Sequence, residues 1–474
     1  MTKHPNIVFI ITDQQRIDTI GALGCPWMDT PNLDRLVNEG TAFEQMYVTS
    51  PSCSPSRASL FSGTYPHTNG VFRNDERWVY SWVGLLKQSG YRTVNVGKMH
   101  TWPVEGAFGY DERHVTENKD RAHPNLPFYL DTWDKAFWAR GVEKPTRVTQ
   151  REMPDYAERL GCYVWDAPED LHADNFVPEM ACMWLDRYKG DEPFFLQIGI
   201  PGPHPPYDPT AEYLAKYEGR DDLPEPIRYD FDTQPGPMRE LRRQHLDNDH
   251  DAVVHLPYPT AEQMRLQRAH YYANVSMIDT QVGNILDALE RRGVLEDTII
   301  IFTSDHGDCL NDHGHSQKWN MFEATVRVPA IVWGRGIRAM RCDELVALFD
   351  WGPTILEWAG VTPPAWMEAQ SLNPLMAGED QPRDRVFAEH ANDAILTGTS
   401  YMTMIRRGDW KLVHFVDSPE GQLFDLASDP EERTNLWEDP AQAERKQSLI
   451  HDILRWRIES DKKTQGFRAE LAGA

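Results

Sequence analysis

The chain has 474 residues, 40% hydrophobic and 26% charged, with 73 acidic against 48 basic side chains and a formal net charge of −25. That length exceeds one small core and predicts a large domain with a smaller companion. The acidic balance excludes nucleic acid and acidic membrane surfaces as partners, and it obliges any anionic substrate to be met by a local cluster of cations.

The start, "MTKHPNIVFIITDQQR", carries an apolar run at residues 7–11 between Pro5 and the polar "TDQQR", which reads as a buried strand. The run is too short for a secretory signal, and no stretch approaches the ~20 apolar residues of a membrane span. Cys25, Cys53, Cys162, Cys182, Cys309 and Cys342 show no paired spacing and no Cys-x-x-Cys, so a reducing, cytoplasmic location is expected. "VTSPSCSPSRASLFSGTYPHTNG" reads as a loop running into a helix start. "SWVGLLKQSG" is helical in pattern and "YRTVNV" is a short strand. Residues 103–178 are rich in Trp, Tyr, Pro and charge and read as long loops with short helices.

"PFFLQIGIPGPH" holds a strand at 194–200, and residues 218–260 are polar with many Pro and Asp. "AHYYANVSMIDTQVGNILDALERRG" is a helix closed by Gly293, and "DTIIIFTSDHGD" repeats the buried-strand design at 299–302. After "PTILEWAGVTPPAW" the pattern changes to short antiparallel strands, with Gly408-Asp409 as a hairpin turn and a last helix over 441–460. The expected fold is α/β, a mainly parallel central sheet sandwiched by helices, with a smaller C-terminal α+β domain carrying a short antiparallel sheet. The expected domains are 1–375 and 376–474, with the boundary in the interval 365–382.

In such sheets ligands sit beyond the carboxyl ends of strands, where Asp13, His204 and Asp305 fall. Asp13-Gln14 and Asp305-His306 would give an oxygen-rich site for one divalent cation; an aspartate there also serves as a turn former. Lys98, His100, Arg57, His204 and Lys318 would together supply the charge of an anion site, although any one of them alone reads as a solvated surface group. Cys53 reads either as a thiolate at a helix mouth or as a structural thiol. The Cys-x5-Arg pattern of thiol phosphatases is absent, because Ser59 stands at the arginine's place.

"CSPSR" followed by "ASLFSGTYPH" resembles the sulfatase signature Cys-x-Pro-x-Arg and its trailing segment. "NIVFIITDQQR", "GYRTVNVGKMH", "FTSDHGDCLNDHGHSQKWNMFEATVRVPAIV" and "LFDLASDPEERTNL" resemble further sulfatase elements, in the family's order over nearly the whole chain. The resemblance implies an alkaline-phosphatase-like fold and a small anionic ester as substrate. It implies that a formylglycine-generating enzyme oxidises Cys53 to formylglycine, hydrated to a gem-diol, as nucleophile. It implies Asp13, Gln14, Asp305, His306 and modified Cys53 around one divalent cation, Ca2+ first, with Mn2+ or Mg2+ as alternates. Arg57 would steady the gem-diol, and Lys98 and Lys318 would bind the substrate's oxygens. His204, with Lys318, would assist the leaving oxygen, and His100 would break down a covalent sulfo-enzyme hemiacetal.

Many sulfatases carry Asp where this chain has Gln14 and Asn where it has His306. The Gln/His pair, "PGPHPPYDPTAEYLAKY", "LPEPIR", "RWRIES" and Asn74, at a substrate-contact position, are similar to phosphonate monoester hydrolases. Lys98-x-His100 is the sulfatase form. The leading expectation is therefore hydrolysis of an aryl or small alkyl sulfate. A phosphonate monoester hydrolase or phosphodiesterase on the same site is the alternative, and an inactive anion-binding protein with unmodified Cys53 is the third reading. Analogy with related hydrolases implies a homo-oligomer, dimer or tetramer.

Overall fold

Apolar residues fill the strand Asn6–Asp13 (β1) so completely that all eight positions are buried. Ile7, Phe9 and Ile11 point to one core, and Val8 and Ile10 to another, as the two-residue period of a strand requires. A strand with two buried faces belongs inside a sheet covered by helices on both sides. The structure, a computed structural model, describes residues 4–117, 119, 129–228, 230–248, 251–379, 383–391 and 399–472.

Seven more strands join β1: Thr41–Phe43 (β2), Arg92–Gly97 (β3), Glu112–Val115 (β4), Phe194–Pro203 (β5), Thr298–Ser304 (β6), Ala330–Gly334 (β7) and Met340–Cys342 (β8). The sheet order is β8-β2-β7-β6-β1-β5-β3-β4. Five of the seven neighbouring pairs run parallel, and β7 runs antiparallel to both β6 and β2. The fold is therefore α/β with a mainly parallel central sheet, as the alternating pattern predicts.

One face is packed by Pro31–Glu39 (α1), whose Leu33, Leu36 and Val37 share a core with Val8, Ile10 and Ile300. The other face receives Cys53–Ser62 (α2), through Leu60 and Phe61. Ala173–Arg187 (α3) and Ala261–Arg292 (α4) join α1 on the first face. Thr260 caps α4 in a reciprocal box with Gln263, and Gly293 closes it at φ 72°, where a side chain would be strained. Among the described residues no helix is long and apolar enough to cross a membrane.

Beyond these come Arg385–Ala391 (β9), Tyr401–Arg407 (β10), Trp410–Phe415 (β11) and Gly421–Asp425 (β12), a four-stranded antiparallel sheet in sequence order. Gly408-Asp409 turns β10 into β11 as predicted. Val386, Met402, Met404 and Leu412 of this sheet belong to the same apolar cluster as Ile7, Phe9 and Phe61. Residues 380–382 of the expected boundary interval lie outside the described residues, as do 118, 120–128, 229 and 249–250 of the two loop-rich segments.

Two elements differ from the sequence reading. The loop-rich segment 103–178 contributes β4, whose Glu-Arg-His-Val carries no apolar run because it is a half-exposed edge strand. The last helix, Ala443–Ala472 (α5), runs past 460 through Gly466. Phe467 holds that extension, stacking on Trp366 at 3.8 Å between ring centres and meeting Tyr80 edge-on.

Candidate active site

β1 and β6 lie in parallel register with Thr12 opposite Ser304, so Asp13 and Asp305 leave the sheet side by side. Their backbones are thereby held one strand spacing apart, about 4.8 Å. The Asp305 N–H donates to the Thr12 carbonyl at 3.2 Å and fixes the exit of β6.

After Asp13 the backbone turns sharply, with Gln14 at φ 71°, a strained value for a residue with a Cβ. Three bonds hold the turn. The Gln14 N–H donates to Asp305 Oδ1 at 3.1 Å, the Gln14 carbonyl accepts from the Tyr271 hydroxyl at 2.6 Å, and the Arg16 N–H donates to the Tyr271 oxygen at 2.9 Å. The Gln14 side chain donates from Nε2 to Asp308 Oδ2 at 2.6 Å and accepts at Oε1 from Lys318 Nζ at 2.9 Å. Tyr207 donates to the same Asp308 oxygen at 2.5 Å.

Cys53 is the first residue of α2, every residue of which is buried. Its Sγ lies 3.1 Å from Lys318 Nζ, 3.1 Å from His306 Nε2 and 3.5 Å from Asp13 Oδ1. One turn on, Arg57 spends its donors on the frame: Nε on Asp305 Oδ2 at 2.6 Å, Nη1 on the Lys98 carbonyl at 3.0 Å and Nη2 on the Thr12 carbonyl at 3.5 Å. Asn74 Oδ1 accepts from the Ser54 N–H at 3.4 Å, and Trp78 donates to the Ser54 hydroxyl at 3.0 Å, so both sit over the start of α2.

Lys98 follows β3, and its Nζ pairs with Asp13 Oδ2. Its N–H donates to the Gly199 carbonyl at 2.7 Å. A Cβ at Gly199 would overlap the Lys98 carbonyl oxygen, so glycine is required for this approach. His100, at φ 61°, donates its N–H to Glu117 Oε2 at 2.8 Å. His204 follows β5; its Nδ1 lies 2.7 Å from the Pro205 carbonyl oxygen and its Nε2 3.6 Å from Asp251 Oδ2.

Asp13, Gln14, Cys53, Arg57, Lys98, Asp305, His306 and Lys318 thus form one connected cluster, to which His204 is joined through Asp251 and Asn74 through Ser54. His100 sits beside the cluster on the Lys98 loop. Asp308, Tyr207, Tyr271 and Asp251 escape the sequence reading. Asp308 has a signal, a further acid in "SDHGDCL". Tyr271 lies among equally buried neighbours on α4, and Asp251 in a polar loop, so neither is marked.

The charges are tightly balanced. Burial raises Asp13, but Lys98, His204, Lys318 and His306 outweigh it and hold that carboxyl well below its usual range. Burial opposes the charge on Arg57, yet Asp305 and Asp13 raise it. Burial also lowers His306, and Asp305 and Cys53 reverse that. His204 goes the other way: burial and then Lys318 lower it, against Asp13 and Asp251.

Asp13, Cys53, Asp305 and His306 each offer a ligand atom within 4.8 Å of the others, all four buried. Two buried carboxylates, an imidazole and the nearby Gln14 amide oxygen are the donors of a divalent cation site, and the residues fit one.

The family profile described as Sulfatase matches residues 5–361, and the one described as N-sulphoglucosamine sulphohydrolase, C-terminal, matches residues 311–459. An arylsulfatase of Clostridium perfringens (strain 13 / Type A) is 31% identical over 91% of this chain and 90% of its own length. A choline-sulfatase of Rhizobium meliloti (strain 1021) is 30% identical over 93% of this chain and 83% of its own. The phosphonate monoester hydrolase of Agrobacterium radiobacter shares the fold with TM-score 0.79 at 24% identity, covering 96% of each chain. In the sulfatase family a cysteine-derived formylglycine and a divalent metal are typical, and a buried Asp13, Cys53, Asp305 and His306 group is present here. Motif order, strand-end geometry and matches along most of the chain lead to one conclusion: the chain belongs to the sulfatase family, within the alkaline phosphatase superfamily.

Proposed function

We propose that the protein hydrolyses sulfate monoesters of aryl or small alkyl alcohols, with Cys53 converted to formylglycine and one divalent cation held by Asp13, Gln14, Asp305 and His306. The observation that carries this reading is Lys318 Nζ, 3.1 Å from Cys53 Sγ in a buried site. A cation at the nucleophile's atom is placed for an anionic ester. The cation and the hydrated aldehyde would supply an acidic, oxygen-based nucleophile. Ca2+ suits the oxygen donors, the imidazole admits Mn2+, and Mg2+ is a further alternate on the oxygen donors.

Lys98 and Lys318 bind the substrate's non-bridging oxygens, and burial at 1% exposure each makes their charge count. Arg57 keeps Asp305 in place. His204 gives a proton to the leaving oxygen, and His100 takes one on the Cys53 side. Cys53 is itself 1% exposed, so the formylglycine-generating enzyme would act before the chain folds. A cytoplasmic location and a homo-oligomer remain part of the proposal.

Gln14 and His306 favour a second reading, a phosphonate monoester hydrolase or phosphodiesterase, because an amide in place of an aspartate leaves the site one carboxylate less anionic and an imidazole in place of an asparagine adds a nitrogen donor. The test is kcat/KM for an aryl sulfate against a phenyl phosphonate ester, with mass analysis of the peptide 48–70 from the same sample. Sulfate preference with formylglycine at residue 53 supports the first reading. Phosphonate preference by orders of magnitude supports the second, and thiol alone at residue 53 in material from the native host overturns both.

A further inference from the structure

His204 has a charge partner that the motif reading lacks. Asp251 turns one carboxylate oxygen, Oδ2, towards His204 Nε2 at 3.6 Å and Lys318 Nζ at 3.8 Å. Its other oxygen, Oδ1, accepts from Arg147 Nη2 at 2.6 Å. The side chains of His204, Asp251 and Arg147 are 7%, 17% and 19% exposed, so the row runs inside the protein.

The backbone under Asp251 is held from outside the site. Asp251 and Ala252 have φ of 54° and 58°, values that residues with a Cβ adopt only under constraint. The Val254 N–H donates to the Leu160 carbonyl at 3.2 Å, and Gly161 packs with no room for a Cβ against the Ala252 carbonyl. Arg147 opens the helix Arg147–Arg151, which Thr146 and Thr149 cap reciprocally. Two separate loop segments therefore converge to fix one carboxylate.

We infer that Asp251, anchored by Arg147, is a positioning residue that holds His204 aimed at the leaving-group oxygen. This rests on His204 being the proton donor of the proposed reaction. As the bond from sulfur to the alcohol oxygen breaks, its electron pair stays on that oxygen, which takes the proton from His204 Nε2. The imidazolium, the form that Asp13 and Asp251 favour against burial and Lys318, is left as the neutral imidazole. Pro205 holds Nδ1, so Nε2 is the nitrogen free to face the substrate side. At 3.6 Å Asp251 is outside direct hydrogen-bond reach of Nε2. It leaves that proton for the oxygen while remaining the ring's charge partner.

The test uses full-length, formylglycine-containing enzyme and aryl esters of its preferred acid, graded by the acidity of the phenol. Asp251→Asn should lower kcat/KM most for the least acidic phenols, approaching the ~10²-fold scale of lost general-acid help, and least for nitrophenols. Arg147→Gln should steepen the same dependence less. Asp251→Glu should recover part of the loss for poor leaving groups. His204→Gln is the reference. If it steepens the dependence and Asp251→Asn lowers all esters equally, the inference fails while the reading of His204 stands. If His204→Gln shows no leaving-group dependence, the reading of His204 itself fails. Thermal unfolding of each variant separates misfolding from either result.

Discussion

Arg57 Nε donates to Asp305 Oδ2 at 2.6 Å with both side chains fully buried. The arginine of the Cys-x-Pro-x-Arg segment is therefore the tie between α2, which presents Cys53, and β6, which presents Asp305. In metal-free protein Arg57→Ala should cost about 3–5 kcal/mol, because it leaves Asp305 buried without its guanidinium partner. Urea unfolding should show a lower midpoint, and cation affinity should fall with it. Unchanged stability would mean that the pair is not formed.

Lys318 and Lys98 should separate from Arg57 in kind. Lys318→Ala removes the cation nearest Cys53 Sγ and should lower kcat by about 10²–10³, the scale of one lost oxyanion donor. Steady-state kinetics on an aryl sulfate checks this. A change confined to KM would mean that Lys318 binds the ground state and the transition state equally.

Gly199 sets the position of Lys98 through backbone contact alone. Gly199→Ala should push the Lys98 segment away from β5 and away from Asp13. Activity should fall by at least about tenfold, as a displacement near 1 Å can cost 10²-fold. A crystal structure of the variant with Lys98 unmoved would sink this account.

Acid should weaken the fold through buried histidines near the site. Burial, with Arg242 nearby, pulls His255 down to about 4, and burial does the same to His313. The unfolded chain takes up these protons near pH 6.5. Stability is thus complete above about pH 6.5 and is lost as pH falls towards 4, by about 3 kcal/mol for each histidine. Unfolding free energies at pH 7 and pH 5 should differ, and His255→Gln should shrink the difference. An unaltered pH slope in that variant would refute the assignment.

Phe467 should govern the end of α5. Phe467→Ala removes the stack on Trp366 and the edge contact to Tyr80. A buried Phe deleted from a core costs about 3–5 kcal/mol, and here the cost should appear as local opening. Hydrogen exchange should quicken over residues 461–472. Exchange rates equal to the parent's would show that Gly466 is no weak point and that the ring is not what holds the helix.

The sequence made the sheet legible wherever burial was complete. β1, β5 and β6 are mainly apolar runs, so their type could be read, and with it the placement of Asp13, His204 and Asp305 at their carboxyl ends, although each strand runs two or three residues past the apolar stretch. Gly293 and Gly408-Asp409 were legible because a chain reversal has a specific residue requirement. β4 was not, since an edge strand needs no apolar alternation. The tail of α5 was not, since one aromatic contact outweighs a polar composition. Within the site, the residues on sequence motifs could be named. Tyr271, Tyr207 and Asp251 act across long separations, from a helix and two loops, and nothing local distinguishes them from buried or solvated neighbours.

The parallel register of β1 and β6 has one more consequence. Thr12 and Ser304 end the shared ladder. The two aspartates are set by it, whereas Gln14 and His306 lie one step past and owe their places to side-chain bonds. The gauge of the site and the identity of its remaining donors are thus inherited from different parts of the molecule. Exchanging Gln14 for Asp or His306 for Asn should therefore change the donors offered to an ion while the span between Asp13 and Asp305 stays as the sheet cut it.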